Sequence, residues 1–268
     1  MLKKLIDIIK DKDHLVHGCL TVDEKGICLQ SMDATHVALV DIFIKNTLAD
    51  TYECLSPCQL GIDFDTFHKI LECSDMSSST KCTIKYTANH PDRLKISFTS
   101  SDQTSVRKKS KISKFDMKIL DIESSNIEIP ESVNHSAVQN VEAETVQKIF
   151  KDLSVFSDDV LIKRQGQALA FSSHSDSSAD ATFSFDISDE DDYFGQTVMV
   201  EKERLNDTGS INDTSVEAIF SLKYLIWFSK AATLCPYVTL AFDQSQPLLM
   251  QFEDPFFCLK FFLAPKCS

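Results

Sequence analysis

Residues 29–40 read LQSMDATHVALV, a stretch with apolar ends and a polar centre. Two interpretations fit this pattern. Ser31, Asp33 and His36 could form a nucleophilic set, or the stretch could be a strand, a turn and a second strand. Members of a Ser-His-Asp triad come together from distant parts of a chain, which counts against a triad within six residues. The rest of the sequence has to decide between the two.

The chain has 268 residues, enough for one large domain or for two of about 130. Apolar residues make up 43% and charged residues 25%, which is ordinary for a soluble globular protein. No run approaches the ~20 apolar residues that span a bilayer, and residues 1–13 do not resemble a signal peptide. The nine cysteines form no C-x-x-C pair. We therefore expect reduced thiols in an intracellular protein, with no membrane contact and no metal.

Strand patterns dominate the sequence. Period-two alternation with β-branched and aromatic residues predicts strands at 34–45, 80–88, 92–100, 180–188, 238–242 and 247–252. Helical spacing occurs at 2–11, 65–73, 142–154 and 221–231. Because no helix lies regularly between strands, the pattern predicts an α+β fold with antiparallel sheets.

The predicted elements repeat. Each half runs helix, strands, helix, strands, and the acidic, Ser-rich segment DIESSNIEIPESVN (121–134) lies between the halves. We assign domain one to 1–117, a linker to 118–133 and domain two to 134–268. A strand-like segment, NHSAVQNV (134–141), precedes the third helix, but nothing equivalent precedes the first. Domain one therefore begins without its expected first strand, through loss or through a start at an internal methionine.

Lysines lie on the polar side of all four predicted helices. On any one helix the lysines can be explained as an ordinary solvent-exposed face. In a chain of net charge −13, lysines on the polar face of all four helices are harder to explain in this way. The acids gather in loops and in the linker instead. We expect the lysines to contact phosphates without reading bases. They are Lys3, Lys4, Lys10, Lys69, Lys148, Lys151, Lys223 and Lys230.

Six blocks of the sequence carry a resemblance to a known family. They are LQSMDATHVALV (29–40), FHKILEC (67–73), MKILDIESSNIEIPE (117–131), VQKIFKDLS (146–154), LKYLIWFSKAAT (222–233) and LKFFLAPK (259–266). In this order and spacing they closely resemble the proliferating cell nuclear antigen family, the eukaryotic DNA sliding clamps. LQSMD-x-x-HV and the terminal LAPK are the most specific of them.

The resemblance implies a two-domain clamp fold in a ring of three subunits, with strands outside and helices lining a hole for double-stranded DNA. Such a ring is a polymerase processivity factor and a docking platform for replication and repair proteins in the nucleus. The lysines match helix-face positions of the family's inner surface, although Glu72 stands where a basic residue is usual. The implied partners are DNA polymerase, clamp loader, nuclease and ligase clients, and no cofactor is implied.

Family clients dock a short helical plug, carrying a glutamine and an aromatic pair, in a groove beneath the linker. The resemblance makes the opening stretch a turn that presents Met32 and His36, and not a catalytic triad. Phe262 stands where the family usually has tyrosine. By position the groove comprises Met32, His36, Val37, Ile127, Ile129, Pro247, Phe262, Ala264 and Pro265.

Subunit contacts follow from the same resemblance. KISKFDMKI (111–119) matches the edge strand of domain one, and SADATFSFDI (178–187) matches the edge strand of domain two in the next subunit. Head-to-tail pairing of these edges closes a ring. The expected interface residues are Ile112, Phe115, Met117, Phe183 and Phe185. RKKSK (107–111) could alternatively be a nuclear-localisation run.

Two other functions compete with this interpretation. A subunit of a heterotrimeric checkpoint-type clamp would share the fold, but it normally lacks so intact a client groove. The sequence does not support an enzymatic function, because it has no Gly-rich phosphate loop and no H-E-x-x-H motif.

Overall fold

The computed structural model describes residues 1–11, 15–73, 80–101, 110–122, 137–165, 168–174, 179–186 and 215–266. It contains the four predicted helices, each with its ends within three residues of those expected. They are α1 (Leu2–Ile9), α2 (Phe64–Glu72), α3 (Ala143–Leu153) and α4 (Leu222–Phe228). A 3-10 helix, Ser229–Thr233, continues α4. Helix α2 begins where the Asp63 carboxylate accepts hydrogen bonds from the N–H groups of Asp65 and Thr66, a standard N-cap.

Six of the described strands overlap the segments that alternation predicted, and the others were not predicted by alternation. The first half contains β1 (His17–Val22), β2 (Gly26–Met32), β3 (Ala38–Lys45), β4 (Cys58–Asp63), β5 (Thr80–Tyr86), β6 (Arg93–Ser101) and β7 (Ser110–Lys118). The second contains β8 (Ala137–Glu142), β9 (Asp159–Gln165), β10 (Ala168–Ser173), β11 (Ala181–Asp186), β12 (Ser215–Ser221), β13 (Tyr237–Phe242), β14 (Leu248–Asp254) and β15 (Phe257–Leu263).

The strands form three sheets in which the described pairings are antiparallel. An eight-stranded sheet has the order β4-β1-β2-β3-β15-β14-β13-β8, a four-stranded sheet the order β11-β10-β9-β12, and a three-stranded sheet the order β5-β6-β7. The two halves meet in the eight-stranded sheet, where β3 pairs with β15 so that Val40 lies opposite Phe261. The α+β clamp architecture predicted from the sequence is confirmed.

The helices form one layer on one side of the sheets. Helix α1 packs against α2, and the 3-10 helix packs against both α1 and α3. The indole N–H of Trp227 donates to the carbonyl oxygen of Ile8 at 2.9 Å, which ties α4 of the second half to α1 of the first. Phe228 stacks on Phe261 of β15 with ring centroids 4.4 Å apart. The helix layer and the sheets therefore share a core that crosses the domain junction.

The two halves differ at one sheet edge. In the second half β8 covers the outer edge of β13, and the inward-facing Val238 and Phe242 are at most 1% exposed. In the first half the described residues place no strand on the outer edge of β5, and the inward-facing Ile84 is 39% exposed. Among the described residues, no strand of domain one takes the place that β8 has in the second half.

The beginning of the linker lies against β4. The N–H of Leu120 donates to the carbonyl oxygen of Gly61 at 2.8 Å. A Cβ added to Gly61 would lie 2.1 Å from the carbonyl oxygen of Leu120. Only glycine leaves room for this close approach of two backbones.

Candidate functional site

The turn between β2 and β3 is organised by the carboxylate of Asp33. This residue is 4% exposed, and its Oδ1 accepts hydrogen bonds from the N–H groups of Val37 and Ala38, both at 2.8 Å. Oδ2 accepts from Thr35 and from the hydroxyl of Tyr224, the latter at 2.9 Å. Because these donors engage both carboxylate oxygens, Asp33 holds the turn and does not orient His36 for catalysis.

The hydrogen bonds also set the charge of Asp33. Burial alone would raise its pKa, but the bonds from Thr35, Ala38, Tyr224 and Val37 outweigh burial and lower the pKa to about 2. Tyr224 lies on α4, so this buried charge joins the domain-one turn to a domain-two helix.

The turn then exposes His36. Its φ of 58° lies in the left-handed region, which is uncommon for a residue with a side chain. Its N–H donates to the carbonyl oxygen of Asp33 at 3.0 Å, and Nδ1 lies 3.1 Å from Sδ of Met32. His36 is exposed and Met32 half-buried. The turn thus places both side chains at one spot on the surface, as the resemblance implies.

An apolar row crosses the sheet beside this turn. Met32 lies opposite Leu39, Leu39 opposite Phe262, and Phe262 opposite Leu249. Strand alternation puts all four on the face away from the helices. Leu39 and Leu249 were missed at the sequence level, although the period-two alternation of β3 and β14 would have found them.

The next row on the same face is polar. Gln30 lies opposite Asp41, and Asp41 opposite Lys260. Burial raises the pKa of Asp41, opposed by a hydrogen bond with Gln30 and by the charge of Lys260. An apolar strip with a polar rim is the arrangement that protein-binding grooves use.

The chain's last described residues lie beside this turn. The N–H of Ala264 donates to the carbonyl oxygen of Val37 at 3.0 Å, and the N–H of Lys266 donates to that of Ile219 at 2.8 Å. Lys266 also pairs with Asp159 at 2.5 Å. These contacts hold half-buried Ala264 and Pro265 beside the turn, while Pro247 is exposed at the start of β14. Ile127 and Ile129 lie outside the described residues.

The domain-one helix lysines are largely paired with acids. Lys3 lies 3.9 Å from Glu72, Lys69 lies 2.5 Å from Asp65, and Lys10 lies 3.9 Å from Asp65 and 3.0 Å from Nδ1 of His68. Lys10 follows the end of α1 in extended conformation, so the predicted helix over 2–11 was too long there. Of the four domain-one lysines, Lys4 alone has no carboxylate partner among the described residues.

The helix lysines of domain two form fewer ion pairs with acids than those of domain one. Lys148 and Lys151 on α3 and Lys223 on α4 are exposed and have no carboxylate within ion-pair distance in the described part of the chain. Lys230 lies in the 3-10 helix and not in α4, and it pairs with Asp11 at 3.2 Å. The basic charge available on the helix layer therefore comes mainly from domain two.

The strands expected at the subunit interface lie at sheet edges. Among the described residues β7 ends the three-stranded sheet and β11 ends the four-stranded one. Phe115, Phe183 and Phe185 are half-buried, and Ile112 is 57% exposed. Met117 is only 3% exposed and belongs to the domain core, so it has little surface left for a neighbour. Its side chain lies in the core, and its place at a subunit interface stays a prediction.

The described residues show no group of His, Cys, Asp or Glu that could hold a metal ion. No helix of the described chain is long and apolar enough to cross a membrane.

The sequence matches two family models that together cover nearly the whole chain. Residues 1–126 match the family model of the N-terminal domain of proliferating cell nuclear antigen, and residues 128–266 match the model of its C-terminal domain. The chain belongs to the proliferating cell nuclear antigen family. The two models meet within the predicted linker, 118–133.

The chain is 31% identical to the proliferating cell nuclear antigen of Dictyostelium discoideum over 268 residues, covering 99% of this chain and 95% of the relative. Its fold matches the crystal structure of the Entamoeba histolytica protein with a TM-score of 0.77 at 24% identity, covering 99% and 95% of the two chains. As a member of this family the chain is a DNA sliding clamp. Clamps of the family are non-enzymatic scaffolds that bind DNA and partner proteins and self-assemble, and the relatives are nuclear replication factors.

Proposed function

We propose that three copies of this chain close into a ring around duplex DNA, with β7 of one copy pairing with β11 of the next. The main support is that β7 and β11 are edge strands of their sheets in the described part of the chain. Each carries half-buried aromatic side chains. Exposed edges of this kind tend to pair with another chain. A head-to-tail contact repeated three times closes a ring and leaves neither edge free.

Native mass spectrometry of the purified chain tests the ring. A homotrimer has three times the 30.1 kDa of one chain. A monomer at micromolar concentration would contradict the proposal and would favour a subunit of a heterotrimeric checkpoint-type clamp.

The helix layer faces the DNA in this ring. Lys4, Lys148, Lys151 and Lys223 carry the charge that is free to contact phosphates, whereas Lys3, Lys10, Lys69 and Lys230 share theirs with acids or with His68. Phosphate contacts release counterions, so the contact is indifferent to sequence and weakens with salt. A lysine paired with an acid contributes less to DNA binding than a free lysine. Because exposed ion pairs are weak, the paired lysines can still contact DNA.

Two matched triple variants test this division. Replacement of Lys148, Lys151 and Lys223 by glutamine should impair loading onto DNA and flatten the salt dependence of binding. The control replaces Lys3, Lys69 and Lys230, with the same change in net charge, and should have the smaller effect. Equal effects of both variants, or selectivity for one DNA sequence, would contradict the proposal.

The apolar row of Met32, Leu39, Phe262 and Leu249 is the proposed groove for client peptides. It accepts a short helical segment whose aromatic side chains fill the row, and the polar row beside it accepts the peptide's glutamine. Polymerase, clamp-loader, nuclease and ligase clients are the proposed partners. Buried apolar anchors dominate such interfaces.

Calorimetry with a synthetic peptide carrying a glutamine and an aromatic pair tests the groove. Met32→Ala should weaken binding by about 1–3 kcal/mol, the range of an interface anchor. Val138→Ala is the control, because Val138 is an exposed apolar residue on β8, far along the sheet. Equal affinity of the Met32 variant and the wild type would contradict this site.

We also infer that the chain works in the nucleus and has no catalytic activity of its own. The family of its relatives supports the first inference, and the commitment of Asp33 to the turn supports the second. Fluorescence microscopy of the tagged chain tests the location. Residues 107–109 of the run RKKSK (107–111) lie outside the described residues, and the role of the run in import stays a prediction.

A further inference from the structure

The outer face of the three-stranded sheet carries an excess of basic side chains. Strand alternation places Leu94, Ile96 and Phe98 of β6 inward, where they are buried. The opposite face carries six cationic side chains and one acid, Asp116. The cations are Lys81 and Lys85 on β5, Arg93 and Lys95 on β6, and Lys114 and Lys118 on β7.

Other sheet faces do not share this charge. On the corresponding face of the four-stranded sheet, Lys163 pairs with Glu217 at 3.4 Å and Lys266 with Asp159 at 2.5 Å. On the eight-stranded sheet, Lys260 lies opposite Asp41. A concentration of positive charge on one face of a chain with net charge −13 is therefore a local feature.

The face is also electrostatically unfavourable for the isolated sheet. Lys85 lies directly opposite Lys95, and Arg93 directly opposite Lys118. Like charges opposite one another destabilise an antiparallel pair. Arg93 pairs with Asp92 at 3.3 Å. The five lysines are exposed and have no carboxylate at ion-pair distance among the described residues. Lys95 lies opposite Asp116, but the six cations still outnumber the one acid on this face. This excess of positive charge suits an anionic ligand.

We propose that this outer basic face binds the phosphate backbone of duplex DNA. Between the lysines lie Thr83, Ser97 and Thr99, whose hydroxyl groups can donate to phosphate oxygens as lysine does. A protein partner would need apolar anchors at the centre of its contact, and the described residues offer only Ile112 at one end. The chemistry therefore fits a phosphate backbone better than an acidic peptide.

The dimensions agree with a short duplex segment. Lys81 and Lys85 are four residues apart on one strand, which is about 13 Å. Duplex DNA carries one charge per ~1.7 Å of axis on its two strands together, so this length holds about eight phosphates, of which the face meets those on its side. The face points away from the helix layer. In the ring, whose existence rests on the proposed function, the bound segment therefore lies outside the hole and not inside it.

Binding to a small closed DNA circle, with no clamp loader present, tests this site. A closed protein ring cannot thread onto a closed circle, so binding reports on outer surfaces. Fluorescence anisotropy at roughly 50 mM salt should detect binding that weakens steeply with salt. Replacing Lys81, Lys85 and Lys95 by glutamine should lower the affinity at least about ten-fold and reduce the salt slope by about 3.

The matched control is the Lys148, Lys151 and Lys223 glutamine variant, which should bind the closed circle like the wild type while losing loader-dependent retention. Native mass spectrometry of each variant separates a failed ring from a failed outer site. The outer variant should unfold at the same or a slightly higher temperature, because it loses like-charge repulsion. Unchanged affinity of the outer variant would overturn the proposal, as would equally tight binding of poly-glutamate.

Discussion

Replacement of Asp33 by alanine tests the link between the turn and domain two. The change removes the acceptor of two backbone N–H groups and of the Tyr224 hydroxyl in a residue that is 4% exposed. We expect a loss of stability together with a loss of client binding, because the same turn positions Met32 and His36.

The magnitude follows from the pKa. Lowering the pKa of Asp33 from 3.8 to about 2 corresponds to about 2–3 kcal/mol of stability at neutral pH. A buried donor left without a partner costs about 1–3 kcal/mol. Water can reach part of the turn, since Ala34 and Thr35 are exposed. We therefore expect Asp33→Ala to lower the free energy of unfolding by about 3 kcal/mol and not by the full sum over donors.

The sign of the pH dependence is fixed by the same shift. Because the folded-state pKa lies below the unfolded value, the contribution of Asp33 is fully present above its ordinary pKa of 3.8 and is lost as the pH falls towards 2. The Asp33→Asn variant should lack this part of the acid dependence.

Urea unfolding at fixed chain concentration measures these effects. Asp50→Ala is the control, since Asp50 is exposed and should change stability by no more than about 0.5 kcal/mol. A double-mutant cycle of Asp33→Asn with Tyr224→Phe should give a coupling of about 0.5–3 kcal/mol. A loss below about 1 kcal/mol for Asp33→Ala, or additive behaviour in the cycle, would refute the reasoning.

Three further predictions concern the edges and the linker. Charged substitution at Phe115 should give monomers in native mass spectrometry. Ile112→Glu should do the same without disturbing the contact between Phe115 and Phe98. Intact trimers in both variants would rule out pairing through β7. Amides of residues 80–100 should exchange with deuterium earlier than those of 237–254, because β5 has an open outer edge in the described structure and β13 does not; equal protection would show that the edge is covered. Gly61→Ala should cost about 1–3 kcal/mol in urea unfolding, because its Cβ would lie 2.1 Å from the carbonyl oxygen of Leu120; a neutral effect would mean that the linker start shifts freely.

Local patterns in the sequence predicted part of the fold. Alternation predicted six of the described strands, β3, β5, β6, β11, β13 and β14, and 3.6-residue spacing predicted the four helices. The division into two domains around a linker at 118–133 stays a prediction. The helix ends at Lys10 and Lys230 were less accurate, because the sequence pattern continues past the point where the backbone leaves the α-helix.

Long-range side-chain contacts could not be predicted from the sequence. Asp33 and Tyr224 are 191 residues apart, and their hydrogen bond exists only because β3 pairs with β15. The division of the helix lysines into paired and free groups depends likewise on which acids α1 and α2 bring together. The burial of Met117 was missed because alternation fixes two faces of a strand but does not say which one meets the core.

Retention on circular DNA tests the central claim of a clamp that encircles its substrate. The chain is loaded onto a nicked circle by a clamp loader and washed at high salt, which removes contacts to outer surfaces, and the circle is then cut once. A ring that encircles DNA should stay on the intact circle and slide off within minutes after the cut. Equal retention before and after the cut, or loss from the uncut circle, would contradict it.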